Sequence, residues 1–227
     1  MLQEIKDWIV YEGGVCPAAG NHFGGDYNAT AKLNLKIQQR PAELASCINF
    51  FLDKQKMGEK IEYYAEIGSC SGGTTYSMNK FLNFKELLII DDGGYENSSY
   101  VSDRDDQLRG QNLNYIPRVE IIGSSLEERV IKHAWNISNI HPYDILFIDG
   151  DHSYEGVKND TINYIPIVRV GGYIVFHDTH HVESIINWVN EIPKVFPNLV
   201  LVKDIAESDE YTEHFPNGIG LTIFQKT

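Results

Sequence analysis

The sequence predicts an α/β fold: a doubly wound sheet of seven strands, mostly parallel, with the last strand antiparallel. Three observations predict it. Apolar runs of strand length alternate with stretches of helical periodicity from Tyr63 to Phe196. The first of these runs, YYAEI, breaks into the turn GSCSGG and then a hydroxyl-rich helix start at Thr74 and Thr75, the strand–turn–helix order of a parallel unit. The tail departs from the alternation. LVLVKDI and GIGLTIFQK follow one another with no helix between them, so the final strand is expected to enter antiparallel.

Leu2, Ile5, Trp8 and Ile9 recur at helical spacing and predict a short amphipathic helix over residues 1–12, a candidate lid or homo-oligomer contact. From Gly13 to Thr30 the chain turns to Gly, Asn, Ala and single aromatics, which reads as a surface loop or a loop covering a substrate. Residues 1–37 are therefore assigned to an N-terminal helix and lid, and 38–227 to one sheet domain. Pro41 opens a helix with Leu44, Ile48, Phe51 and Leu52 on one face. A helix over 74–82, the strand KELLIIDD ending at Asp91 and Asp92, and a polar segment from Tyr95 to Asn114 with a helix near its end come next. VEIIGSS (119–125), the helix LEERVIKHAWNI and the strand YDILFID (143–149) follow. SYEGVKNDTINYIPIVRV reads as a helix, GGYIVFHD (171–178) as a strand and ESIINWVNEIPKVF as a helix.

A net charge of -13 argues against nucleic acid or an anionic membrane as partner, because both demand clustered Lys and Arg. A small neutral or polar substrate fits better. The cysteines, Cys16, Cys47 and Cys70, are odd in number and widely spaced, which suits a reducing compartment. With no apolar run near 18 residues, a soluble cytoplasmic protein is expected.

The glycine turn suits a nucleotide-like ligand, since its backbone can approach closely and the following helix offers unpaired N–H groups. Spacing narrows the choice. Gly68 and Gly73 stand as in a phosphate loop, but Thr74 occupies the position its Lys requires. Cys70 replaces the middle glycine of a dinucleotide fingerprint, which makes NAD a minor alternative. Asp91, 19 residues beyond Gly72, is placed to take both hydroxyls of a ribose. Glu66 can meet an amino group, directly or through water, so the ligand is expected to be a nucleoside bearing an amino acid. Asp149, at the carboxyl end of a buried strand, and His177 and Asp178, at the end of the next, form a candidate metal site. Two carboxylates without a thiolate suit Mg²⁺ or Mn²⁺, and the imidazole admits another divalent transition metal. His152 is the candidate general base beside them.

EIGSCSGGTT, IDD, IIGSS, FIDGDHSYEGV and GGYIVFHDT, in this order and spacing, resemble the class I S-adenosylmethionine-dependent methyltransferases. Within them they are most similar to the small metal-dependent O-methyltransferases, including the sugar O-methyltransferase and cephalosporin-hydroxylase-like group. IQQRPAEL is similar to that group's lead-in helix. The resemblance implies the Rossmann-like class I fold and S-adenosylmethionine as cofactor. The cofactor site it implies is lined by Glu66, Gly68, Ser69, Asp91 and Ser124 or Ser125, to which the turn itself adds Gly72, Thr74 and the neighbouring Asp149. It aligns Asp149, His177 and Asp178 with the metal ligands, His177 standing where an acid is usual, and His152 with a catalytic lysine. The activity expected is methyl transfer to a hydroxyl of a small hydroxylated acceptor, a sugar or diol. A metal-dependent hydroxylase or oxidoreductase and a non-catalytic cofactor-binding module are the alternatives.

Overall fold

The computed structural model of the protein describes residues 1–15, 31–33, 35–93, 105–207 and 218–227. Most of the loop from Gly13 to Thr30 and the first part of the polar segment from Tyr95 lie outside the described residues.

The described residues include seven strands: β1 (Tyr63–Ile67), β2 (Glu86–Asp91), β3 (Arg118–Ile122), β4 (Tyr143–Ile148), β5 (Val168–His177), β6 (Leu199–Ile205) and β7 (Leu221–Lys226). They form one sheet in the order β3-β2-β1-β4-β5-β7-β6. The first five pair in parallel, and β7 runs antiparallel to both of its neighbours. The antiparallel strand is therefore the last, as expected, but it does not lie at the rim. Residues Leu221 to Phe224 are buried on both faces, which suits an interior strand, whereas β6 exposes Val200 and Leu201 and has Lys203 and Asp204 on its outer run. The strand order reverses between β1 and β4, so the crevice beyond their carboxyl ends is where a ligand site is expected in such a sheet.

Helices cover both faces because successive strand residues point to opposite sides. Leu87 and Ile89 join the layer under α1 (Leu2–Trp8), α2 (Pro41–Lys56) and α3 (Gly73–Leu82), with Ile5, Leu44, Ile48, Phe51 and Met78. Leu88 and Ile90 join the opposite layer with Val130 of α5 (Glu128–Ser138), Val157 of α6 (Tyr154–Tyr164), and Trp188 and Ile192 of α7 (Glu183–Val195). α4 (Asp105–Asn112) is the helix expected at the end of the polar segment. Val15 bridges to Ile37, and both share the first layer with Ile5, so the described part of residues 1–37 packs on the sheet domain.

Two boundaries differ from the sequence reading. The N-terminal helix gives way after Trp8 to a π-helical turn over Ile9–Gly13. The helix expected to run to Val170 ends at Tyr164, then makes a short 3₁₀ turn over Ile165–Ile167, and β5 begins at Val168. Pro166 lacks the N–H that an α-helix would need there, and the β-branched Val168 and Val170 favour extended chain. Among the described residues no helix is long and apolar enough to cross a membrane.

Candidate active site

The turn after β1 is built by contacts that only small or unusual backbone geometry permits. Gly68 has φ +82°, and a Cβ on it would overlap the Asp149 carbonyl oxygen. The β1 turn is thereby pressed against the end of β4. Asp91 ends β2 facing the same turn: its Oδ2 accepts the Cys70 N–H at 2.8 Å and its Oδ1 the Gly93 N–H at 3.0 Å. Arg109 on α4, 1% exposed, lies 3.2 Å from Asp91 Oδ1 and donates to the Cys70 carbonyl at 2.6 Å. The turn is thus locked between an acid and a buried guanidinium.

Sequence reasoning missed Arg109, because within DRDDQLRG an arginine is indistinguishable from a solvated charge. It also missed Gln39. That side chain accepts from the Thr74 hydroxyl and donates to Asp149 Oδ2 at 2.6 Å, joining the glycine turn to the end of β4. Its signal was its place immediately before the Arg-Pro that opens α2.

Ser69 and Thr75 share a hydrogen bond of 3.0 Å behind the turn. Glu66 corrects an expectation. Its carboxyl is 1% exposed and accepts hydrogen bonds from Tyr64 at 2.7 Å and from Thr75, so it braces the turn from beneath rather than facing an amino group in the crevice. Burial pushes it up to about 8, against the pull of the Thr75 and Tyr64 hydroxyls. Ser124 and Ser125 lie beyond the end of β3. The Ser124 hydroxyl accepts the Leu126 N–H at 3.3 Å, and the Ser125 carbonyl accepts the Tyr164 hydroxyl at 2.8 Å.

The second half of the site stands at the ends of β4 and β5. Asp149 follows β4 directly, and Asp178 follows β5 with φ +60°, a left-handed conformation that Asp tolerates better than most residues. One donor atom each from Asp149, His152 and Asp178 all lie within 4.8 Å of one another. His152 Nε2 is 3.5 Å from Asp149 Oδ1 and 3.3 Å from Asp178 Oδ2. His177, expected as the third donor, falls outside this trio. Its Nδ1 lies 3.0 Å from Asp149 Oδ1 and 3.1 Å from Asp178 Oδ2, so it spans the two acids from below. The reason is alternation: as the last residue of β5, His177 is buried at the sheet, while His152 reaches over from the half-exposed β4–α6 loop. That loop is anchored by Ser153, which caps α6 by accepting the Gly156 N–H at 3.0 Å, and by Asp151, which accepts the Ser153 N–H at 2.8 Å.

The electrostatics reflect this packing. Burial works against a charge on Asp149, but His177 and His152 override it and hold its carboxyl well below the usual carboxylate range. The Asp149 hydrogen bond raises His152 above the ordinary imidazole value despite burial. Burial also opposes a charge on His177, yet Asp149 and Asp178 together hold it well above that value. The donors are oxygen and imidazole nitrogen without a thiolate, a set suited to a divalent cation such as Mg²⁺ or Mn²⁺.

A crevice at the reversal of a doubly wound sheet, with a glycine turn, a carboxylate at the end of β2 and charged groups at the ends of β4 and β5, is the architecture of class I methyltransferases. The profile of a family described as a methyltransferase domain matches residues 65–179, just over half of the chain, and the chain belongs to that family. An uncharacterized protein of Acanthamoeba polyphaga mimivirus is 36% identical over 118 residues, which is 51% of this chain and 50% of the relative. The chain thus spans about half the length of the curated relative it matches. Among solved structures, the O-methyltransferase NovP superposes with a TM-score of 0.59 at 15% identity, covering 100% of this chain and 98% of that one. A putative caffeoyl-CoA O-methyltransferase from Staphylococcus aureus gives 0.56 at 15% identity over 80% and 83% of the two chains. The N-methyltransferase NodS from Bradyrhizobium japonicum, in complex with S-adenosyl-l-homocysteine, gives 0.54 at 13% identity over 92% and 97%. These likenesses show the fold.

Proposed function

We propose that the protein is an S-adenosylmethionine-dependent, divalent-metal-assisted O-methyltransferase acting on a small hydroxylated acceptor such as a sugar or diol. The observation that supports it most is the Asp149, His152 and Asp178 trio lying against the glycine turn, because Asp149 touches both halves of the site through Gln39 and Gly68.

In this reading Gly68, Ser69, Gly72 and Thr74 form the cradle, and Glu66 holds it rigid from beneath. Asp91 Oδ1 already serves Gly93 and Arg109, which leaves Oδ2, with Cys70 as its donor, to accept a ribose hydroxyl. Ser124 and Ser125 would border the adenine end. S-adenosylmethionine supplies an electrophilic methyl on a sulfonium. Asp149, His152 and Asp178 would hold the cation, which when bound lowers the pKa of a coordinated hydroxyl toward neutrality. His152 then serves as a donor to the cation, and the role of general base expected of it passes to solvent or to the acceptor's own neighbours. His177 keeps both acids oriented and stays out of the transfer.

Methyl transfer from radiolabelled S-adenosylmethionine to a panel of catechols and sugars, with Mg²⁺ and with chelator, tests the proposal. Transfer is expected to depend on the cation and to fall at least a hundredfold in Asp149→Ala. Full activity of that variant in the presence of chelator would remove the metal role.

A further inference from the structure

Glu43 sits at the start of α2 with no exposed surface, far in sequence from the groups it meets. Its Oε1 accepts the N–H groups of Ile219 and Gly220, each at 3.0 Å. Gly220 immediately precedes Leu221, which pairs across the sheet with His177, so the Glu43 carboxyl lies alongside the end of β5. The same stretch fixes the chain just beyond Asp178: the Ile219 carbonyl accepts the His180 N–H at 2.8 Å and the Gly220 carbonyl accepts the Thr179 N–H at 3.3 Å. Burial pushes the Glu43 carboxyl up, while the Gly220 N–H and then His177 draw it back toward the charged form.

Among the buried polar atoms without a hydrogen-bond partner in the described residues are Glu43 Oε2 and His177 Nε2. Leaving either unmade costs about 1–3 kcal/mol, and a single water bridging the two satisfies both. Histidines that orient metal-binding groups are themselves held by such a partner on the second nitrogen.

We infer that Glu43 is the partner of His177 Nε2 through one bridging water and, by fixing that ring with Nδ1 toward Asp149 and Asp178, a positioning residue for the acidic pair. α2 and the residues leading into it then enter the site twice, through Gln39 on Asp149 and through Glu43 behind His177. The geometry stands on its own, and only the consequence for cation affinity rests on the metal-assisted reading.

The test is Glu43→Gln, with folding checked by circular dichroism. Its readouts are the His177 ring ¹⁵N resonances, assigned through His177→Asn, and the affinity for Mn²⁺ alone. The His177 resonances are expected to move and Mn²⁺ affinity to fall about tenfold. Unchanged His177 resonances in the folded variant would overturn the inference. If the wild-type protein takes up no Mn²⁺ while those resonances move, the positioning role stands and the metal reading fails. Should the variant not fold, a crystal structure of the wild-type protein decides: one water hydrogen-bonded to both Oε2 and Nε2 supports the inference, and Oε2 satisfied by another donor overturns it.

Discussion

At the scale of single residues, the site is a balance between burial and pairing. Glu66 shows the cost side. Its carboxyl titrates at about 8 in the fold and near 4.5 in the unfolded chain. Between those values the folded protein holds a proton that the unfolded chain has released, so this residue's contribution to stability falls as pH rises, by at most about 1.4 kcal/mol per unit. Glu66→Gln is therefore expected to match the wild type near pH 4.5 and to exceed it increasingly up to pH 8, as read by urea unfolding at three pH values. A stability difference independent of pH would contradict the buried-acid account. Asp149 shows the opposite case, a buried carboxylate kept charged by two imidazoles. The residue types of the site were legible in the sequence, since carboxylates and imidazoles closing buried strands demand partners. Which histidine reaches over the acids and which lies beneath them was not, because that depends on strand phase at His177 and on the path of the loop through His152.

At the scale of elements, two loops at strand ends are shaped as one piece. The β1 turn touches the β4 end through Gly68, and Gln39 and Thr74 close the same joint from the start of α2 and from α3. Gly68→Ala would have to adopt a positive φ and displace the Asp149 carbonyl, so a loss of roughly 2–4 kcal/mol is expected in chemical unfolding. A loss below about 1 kcal/mol would mean that the two loops are not packed as described. Element order, the parallel pairing and the antiparallel last strand could be read from periodicity alone. The place of β7 between β5 and β6 could not, because nothing local distinguishes an interior from a rim strand except burial on both faces. The roles of Arg109 and Gln39 were hidden for a related reason: each acts across 39 or more residues of sequence, on Cys70 and Asp149 respectively.

For the molecule as a whole, one sheet brings segments far apart in sequence, from Gln39 to Gly220, to a single rim, and the chain carries a net charge of -13. That balance favours a bound cation at the acidic trio and disfavours a phosphate-rich partner. The family assigns the chain a methyltransferase domain, and we propose that this domain works through a cation held by Asp149, His152 and Asp178 beside S-adenosylmethionine. Anomalous diffraction from crystals soaked with Mn²⁺ and S-adenosylhomocysteine tests it most directly. One anomalous peak bonded to Asp149, His152 and Asp178 is expected, with the cofactor product lying on the glycine turn and a ribose hydroxyl on Asp91 Oδ2. Cofactor density on the turn with no anomalous peak at the trio would contradict it.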